Sequence, residues 1–261
     1  MYNIRNIKLR KKNQGGINMG KNIAAFFDID GTLYREGLIT EVFKKMIKYE
    51  IIEPEKWYND VRKDFDKWDR REGDYDTYLL KMIDIYMDAI KGLKKDQIEF
   101  IAKRVIEQKG DRVYTFTRDR IRWHKEQGHI LITVSGSPIE LVKEMSVKHG
   151  FNDFKGAEYI LDEDGVYTGD VVPMWDSESK EKAIKELQEK YDIDLESSYA
   201  YGDTAGDYTM LSKVSNPYAM NPTKELLKKI LNDKELRDRI NVIVERKDVT
   251  YNLNVGDIQF E

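Results

Sequence analysis

AAFFDIDGTLYREG, residues 24–37, sets a run of small and aromatic apolar residues against two aspartates, Asp28 and Asp30, with Gly31 and Thr32 directly after. Ile23 to Phe27 contains no polar residue, the pattern of a strand buried on both faces. Asp28 then falls at the carboxyl end of that strand, where open α/β sheets hold their ligands. Two carboxyl groups this close repel each other and are costly to desolvate. A positive or reactive partner is therefore expected beside them. Gly31 frees the backbone to turn, and Thr32 supplies a hydroxyl. Asp-Gly is also an ordinary turn pair, so the stretch reads as a capped turn or as a site.

Working outward, His129 to Val134 (HILITV), Tyr199 to Tyr201, Tyr218 to Met220 and Ile240 to Val244 read as further buried strands. Helical patterns at Pro138 to His149, ended by Gly150, and at Lys180 to Tyr191 separate them. Strands alternating with helices imply βαβ units, and so an α/β fold with a doubly wound, parallel, Rossmann-like sheet. Asp28, Ser135 and Asp203 each lie at a strand's carboxyl end. Ala157 to Val172, with an Asp-Gly pair in the middle, predicts a β-hairpin.

Residues 40–115 differ: helical patterns dominate, as in EVFKKMIKYEII and YLLKMIDIYMDAI. They predict a small all-helical cap domain inserted into the α/β core, which then comprises residues 21–39 and 116–261. Trp57, Tyr58, Phe65, Trp68, Tyr75, Tyr78 and Tyr86 lie in this insertion, where aromatics either pack helices together or line a pocket. Residues 1–20 are expected to be a disordered basic tail: Arg5, Lys8, Arg10, Lys11 and Lys12 occur without an acid, and Met19 is an alternative start.

Composition narrows the chemistry. With 40% hydrophobic and 35% charged residues, a core and a soluble surface are both expected. The net charge of -4 argues against a nucleic-acid or membrane-surface binder. No cysteine is present, which excludes disulfides, zinc-thiolate sites and cysteine nucleophiles. No apolar run approaches the roughly 20 residues of a membrane span, and the first 18 residues lack the continuous apolar core of a signal peptide. A cytoplasmic location is expected.

Three further stretches converge on the same end of the sheet. In ILITVSGSPIE, Ser135 ends a strand, and Ser137, Pro138 and Glu140 fit the N-cap, N1 and N3 positions of a capped helix. The Ser135 hydroxyl, the Gly136 amide and the free N–H groups of that helix start could cradle an anion. Lys180 falls in the first turn of its helix, where a cation is locally unfavourable and calls for an anionic partner. In AYGDTAGDYTML, a helical turn after Asp203 would put Asp203 and Asp207 on one face. Acids converging on one cleft suit a hard cation such as Mg²⁺. Thr32, Ser135, Gly136 and Ser137 are thus the candidate phosphate-binding residues.

In order, DIDGT at 28–32, TVSGSP at 133–138, Lys180 and GDTAGD at 202–207 resemble the motifs of the haloacid dehalogenase superfamily, in its phosphoserine-phosphatase-like branch. The resemblance spans residues 22–245. It implies an Mg²⁺-dependent phosphomonoesterase acting on a small phosphorylated metabolite. Asp28 would be the nucleophile and a metal ligand. Asp30 would be the general acid and then the base, giving the metal its backbone carbonyl. Ser135 would bind the phosphoryl group, Lys180 would bridge it to Asp28, and Asp203 and Asp207 would hold or support Mg²⁺. Phosphoserine phosphatases usually read DxDST, SGG and GDGAND, so this chain departs at Gly31, Ser137, Thr204 and Gly206. The cap arginine for a substrate carboxylate has only Arg70, Arg71 and Lys81 as candidates. Glu36 stands near the position that meets a substrate amine. Phosphocholine or phosphoethanolamine would suit an aromatic cap with Glu36. A phosphoserine phosphatase proper, a phosphotransferase or mutase, and a non-catalytic phosphate-binding module are the alternatives.

Overall fold

A computed structural model describes residues 21–73 and 75–259; the expected basic tail lies outside the described residues. Among them, eight strands form one sheet: β1 (Ala24–Phe27), β2 (Ile130–Pro138), β3 (Asp153–Leu161), β4 (Tyr167–Val172), β5 (Tyr199–Gly202), β6 (Asn216–Met220), β7 (Asn241–Arg246) and β8 (Val249–Leu253). Their order is β4-β3-β2-β1-β5-β6-β7-β8. β1 runs parallel to both neighbours, with Phe27 opposite Thr133 of β2 and Tyr201 of β5. β3, β6 and β7 continue the parallel sheet, and antiparallel β4 and β8 close its edges. The chain builds outward from β1 first through β2 and then, on the other side, from β5. That reversal opens a crevice at the carboxyl ends of β1, β2 and β5.

Successive strand residues face opposite sides. Ala25 and Phe27 enter one apolar cluster, and Ala24 and Phe26 enter the other. β1 is thus buried on both faces, which is why it shows no polar alternation. The helix Ser177–Tyr191 covers the Ala24 face with Ala183, Ile184 and Leu187. The helix Ile139–His149 covers the other with Leu141, Val142 and Met145, and its left-handed C-cap is Gly150 at φ 69°.

Between β1 and β2 the chain is helical, with Leu38–Lys48, Arg62–Asp69, Tyr75–Ile90 and Lys95–Lys109 as the main helices. Its two connections run side by side: Arg35 N–H donates to Arg112 O, and Tyr114 N–H to Leu33 O, both at 3.0 Å. Phe43, Trp57, Phe65, Trp68 and Tyr78 pack against one another, so these aromatics serve as the insertion's core. Tyr86 is buried against Tyr159, whereas Tyr58 is exposed. The insertion also extends the hairpin edge, where Gly92 N–H meets Tyr167 O and Tyr167 N–H meets Leu93 O, each at 3.0 Å. No helix among the described residues is long and apolar enough to cross a membrane.

Candidate active site

The site begins where β1 stops. Asp28 N–H donates to Tyr201 O at 2.9 Å, the last rung between β1 and β5. The chain then turns through Gly31 at φ 81°, and a Cβ there would lie 2.1 Å from Asp203 Oδ2. Glycine is thus needed both for the backbone and for the approach of the Asp203 carboxylate. Thr32 Oγ1 donates to Asp203 Oδ1 at 2.9 Å. The hydroxyl expected to meet phosphate is therefore engaged in holding an acid.

Lys180 is delivered by the helix Ser177–Tyr191, whose N-cap Asp176 accepts from Ser179 N–H at 2.8 Å. The ammonium is buried, 2.9 Å from Asp28 Oδ1 and 2.5 Å from Asp207 Oδ1. The other oxygen of Asp207 accepts from Asp203 N–H at 3.0 Å, Thr204 N–H at 2.9 Å and Thr204 Oγ1 at 3.1 Å. Asp207 thereby ties the short turn Ala205–Asp207 back onto the end of β5.

Burial pushes the Asp28 carboxyl up to about 8, aided by the charges of Asp207 and Asp30 and opposed by Lys180. Asp203 is raised well above the usual range by burial, then by Asp28 and Asp207. Asp30 is raised by burial, against the hydrogen bonds from Ser137 and Leu38. Burial works against the charge on Lys180, but Asp207 and Asp28 outweigh it and its pKa rises. One ammonium thus faces four carboxyl groups.

That imbalance fits a divalent cation. Carboxylate oxygens of Asp28, Asp203 and Asp207 lie within 4.8 Å of one another. Asp28 Oδ2 and Asp203 Oδ2 make no hydrogen bond among the described residues, whereas both oxygens of Asp207 are engaged. Asp28 and Asp203 therefore have oxygens that could ligate a cation directly, while both oxygens of Asp207 hold Lys180 and the turn.

The segment from Ser135 to Glu140 departs from expectation. β2 runs on to Pro138, which pairs with Ala157 beyond a break in register. Pro138 is itself the N-cap of the following helix, and no side chain caps it. Ser137 is not the cap: its hydroxyl donates to Asp30 Oδ2 at 2.5 Å. A carboxylate is the stronger acceptor and draws the hydroxyl away from the helix. Glu140 does not close a capping box either; it accepts from the buried Tyr167 hydroxyl at 2.7 Å. Ser135 Oγ accepts from Ser137 N–H at 3.2 Å.

Glu36 lies apart, its carboxylate paired with Arg112 at 2.5 Å beside the connections of the insertion. Arg70 pairs with Glu72, Lys81 with Asp64, and Arg71 lies over the Trp68 ring. The structure brings together Asp28, Asp30, Thr32, Ser135, Ser137, Lys180, Asp203 and Asp207, and engages Glu36 with Arg112. It also adds Trp175. A Cβ on Gly136 would lie 2.8 Å from Trp175 Cβ, and one on Gly206 would lie 2.3 Å from Trp175 O. The only signal for it was a tryptophan in the polar approach to Lys180.

Residues 25–212 match the family of haloacid dehalogenase-like hydrolases. The chain belongs to that family. The "Inhibition of morphological differentiation protein" of Streptomyces azureus is 26% identical over 210 residues, 80% of this chain and 75% of its own. A Mycobacterium tuberculosis protein described as a probable phosphatase is 34% identical over 116 residues, 44% of this chain and 40% of its own. Among solved structures, a Bordetella pertussis Tohama I protein of unknown function superposes with a TM-score of 0.66 at 16% identity, covering 81% of this chain and 96% of its own. A phosphoserine phosphatase solved as a phospho-aspartyl intermediate analogue gives 0.54 at 19%, covering 87% and 95%. The fold is therefore that of the phosphoserine-phosphatase-like members.

Proposed function

We propose that this hydrolase is an Mg²⁺-dependent phosphomonoesterase that cleaves a small phosphorylated metabolite through an aspartyl-phosphate on Asp28. The observation that carries the reading is the buried Lys180 ammonium, held 2.9 Å from Asp28 Oδ1. A lysine so placed masks part of a nucleophile's charge and meets an incoming phosphoryl oxygen. Asp28 attacks phosphorus, the bond to the leaving oxygen breaks, and protonated Asp30 gives that oxygen its proton. Asp30, now ionised, takes a proton from water as the water attacks the aspartyl-phosphate, releasing phosphate and restoring both acids. Division into two displacements is the gain of covalent catalysis. The Ser135 hydroxyl and nearby N–H groups would hold the phosphoryl oxygens. Asp28, Asp203 and the Asp30 carbonyl would hold Mg²⁺, which when bound neutralises charge on the transferring group.

The helical stretch of residues 40–115 would act as a cap over this cleft. Glu36 paired with Arg112, and Arg70, Arg71 and Lys81 engaged elsewhere, favour neither a phosphoserine nor an amine headgroup. A cytoplasmic phosphorylated metabolite that needs neither a carboxylate grip nor an amine grip fits better. The test is phosphate release with Mg²⁺ over a panel of phosphorylated metabolites, with Asp28→Asn in parallel and rapid-quench mass spectrometry for a phosphorylated chain. Release that Asp28→Asn abolishes, with phosphate trapped on Asp28, supports the reading. No release from any ester by the unaltered protein would sink it.

A further inference from the structure

Ser137 has a hydroxyl with no place in the helix cap and none spent on its own loop. Its partner is Asp30 Oδ2 at 2.5 Å, and the serine is buried. The other oxygen, Oδ1, accepts from Leu38 N–H at 2.6 Å. Leu38 is the first residue of the insertion's first helix, and its N–H is one of the donors that a helix start leaves free. One donor alone would let the carboxyl plane swing about its last torsion. Two donors from different elements, on opposite oxygens, fix that plane.

We propose that Ser137 is a positioning residue for Asp30, carried on the same strand as Ser135, so that acid assistance to the leaving group is set in register with the phosphate cradle. The inference rests on the phosphatase reading. It also gives a reason for serine in the SGS of this chain: glycine there would remove the hydroxyl donor on Asp30 Oδ2 and leave only Leu38 N–H and the weaker contact from Ser135. The step concerned is the first displacement. The Asp28–phosphorus bond forms, the phosphorus–oxygen bond to the leaving group breaks, and the leaving oxygen receives the Asp30 proton. An alkoxide needs that proton; p-nitrophenolate leaves without it. Misplacement of Asp30 should therefore penalise alkyl esters selectively.

The experiment compares kcat/KM of the full chain with Mg²⁺ for the best-hydrolysed alkyl phosphate of the panel and for p-nitrophenyl phosphate. This constant reports the first displacement and not the later hydrolysis of the aspartyl-phosphate. Positioned acid catalysis is worth about 10²–10⁴-fold. Ser137→Ala should therefore lose about tenfold or more on the alkyl ester beyond its loss on the aryl ester, and Ser137→Thr should recover most of it. In an Asp30→Asn background, Ser137→Ala should add little, because the two act as one unit. Equal losses on both esters, or full additivity with Asp30→Asn, would overturn the proposal while leaving the phosphatase reading intact. No release from either ester by the unaltered protein would overturn both. If Ser137→Ala does not fold, Ser137→Cys, nearly the same shape with a weak donor, carries the same comparison.

Discussion

The ammonium of Lys180 rests 2.9 Å from Asp28 Oδ1, both side chains being almost wholly withdrawn from water. With Asp207 on its other side, this lysine is the internal counterion of the site. Lys180→Met should remove about 3–5 kcal/mol of stability, the usual cost of stranding a buried partner. Protonating the stranded acids relieves that cost, so the loss should be smaller at pH 5 than at pH 8. Urea denaturation at the two pH values measures it; an equal loss at both would deny the counterion role.

Asp203 and Asp28 hold the free oxygens suited to a cation. Mg²⁺ at a hundredfold excess over its Kd should stabilise the protein by about 2.7 kcal/mol, which for a chain of this size is on the order of 5–10 °C in Tm. Asp203→Asn should abolish most of that gain, and a chelator should reverse it in the unaltered protein. A Tm shift retained in Asp203→Asn would place the cation elsewhere.

His124 is buried, with Nε2 2.9 Å from the Tyr201 hydroxyl and Nδ1 2.8 Å from His129 Nδ1. Arg120 Nε donates to the same tyrosine oxygen at 2.8 Å. Every proton finds an acceptor if Tyr201 donates to His124 Nε2 and His124 Nδ1–H donates to His129. Burial, with the charge of Arg120, lowers the His124 pKa from 6.5 to about 3. The unfolded chain binds a proton below pH 6.5 that the folded chain refuses. Stability from this group is therefore complete above pH 6.5 and is lost as pH falls toward 3, by about 2–3 kcal/mol near pH 4.5. The stability gap between the unaltered protein and His124→Gln should narrow on acidification. A gap constant from pH 7 to 4.5 would contradict the assignment.

Gly136 and Gly206 both face Trp175, but by different atoms. The added Cβ of Gly136→Ala meets the Trp175 side chain, whereas that of Gly206→Ala meets its backbone carbonyl. Both variants should push the approach to Lys180 outward and lower phosphate release. Trp175→Gly should restore Gly136→Ala in part and Gly206→Ala hardly at all, since a carbonyl remains after truncation. The same collision explains why an asparagine, usual in the related motif, has no room at Gly206. Equal rescue of both would refute this geometry.

The outline of the fold was legible because a parallel strand buried on both faces must be apolar throughout and must end where its loop begins. The run before Asp28 therefore located β1, and the runs near residues 130, 199, 218 and 240 located its neighbours to within a few residues. The elements that escaped lack that signal. β8 is exposed along its whole length, so no burial pattern marks it. The helix Thr115–Glu126 buries Thr117, Ile121 and His124, a helical spacing filled by two polar residues and one apolar. Its periodicity exists, but not in hydrophobicity.

The identity and order of Asp28, Asp30, Ser135, Lys180, Asp203 and Asp207 were determined by the sequence, because acids and hydroxyls at the ends of apolar runs have few structural reasons to be there. Which partner each group takes was decided only in three dimensions. The sequence makes Ser137 a helix cap, Thr32 a phosphate ligand and Glu36 a grip on the substrate. The structure turns the first to Asp30, the second to Asp203 and the third to Arg112. Hydrogen bonds are short-ranged and directional. A hydroxyl takes the strongest acceptor within about 3 Å, and the chain folded around it decides which acceptor that is.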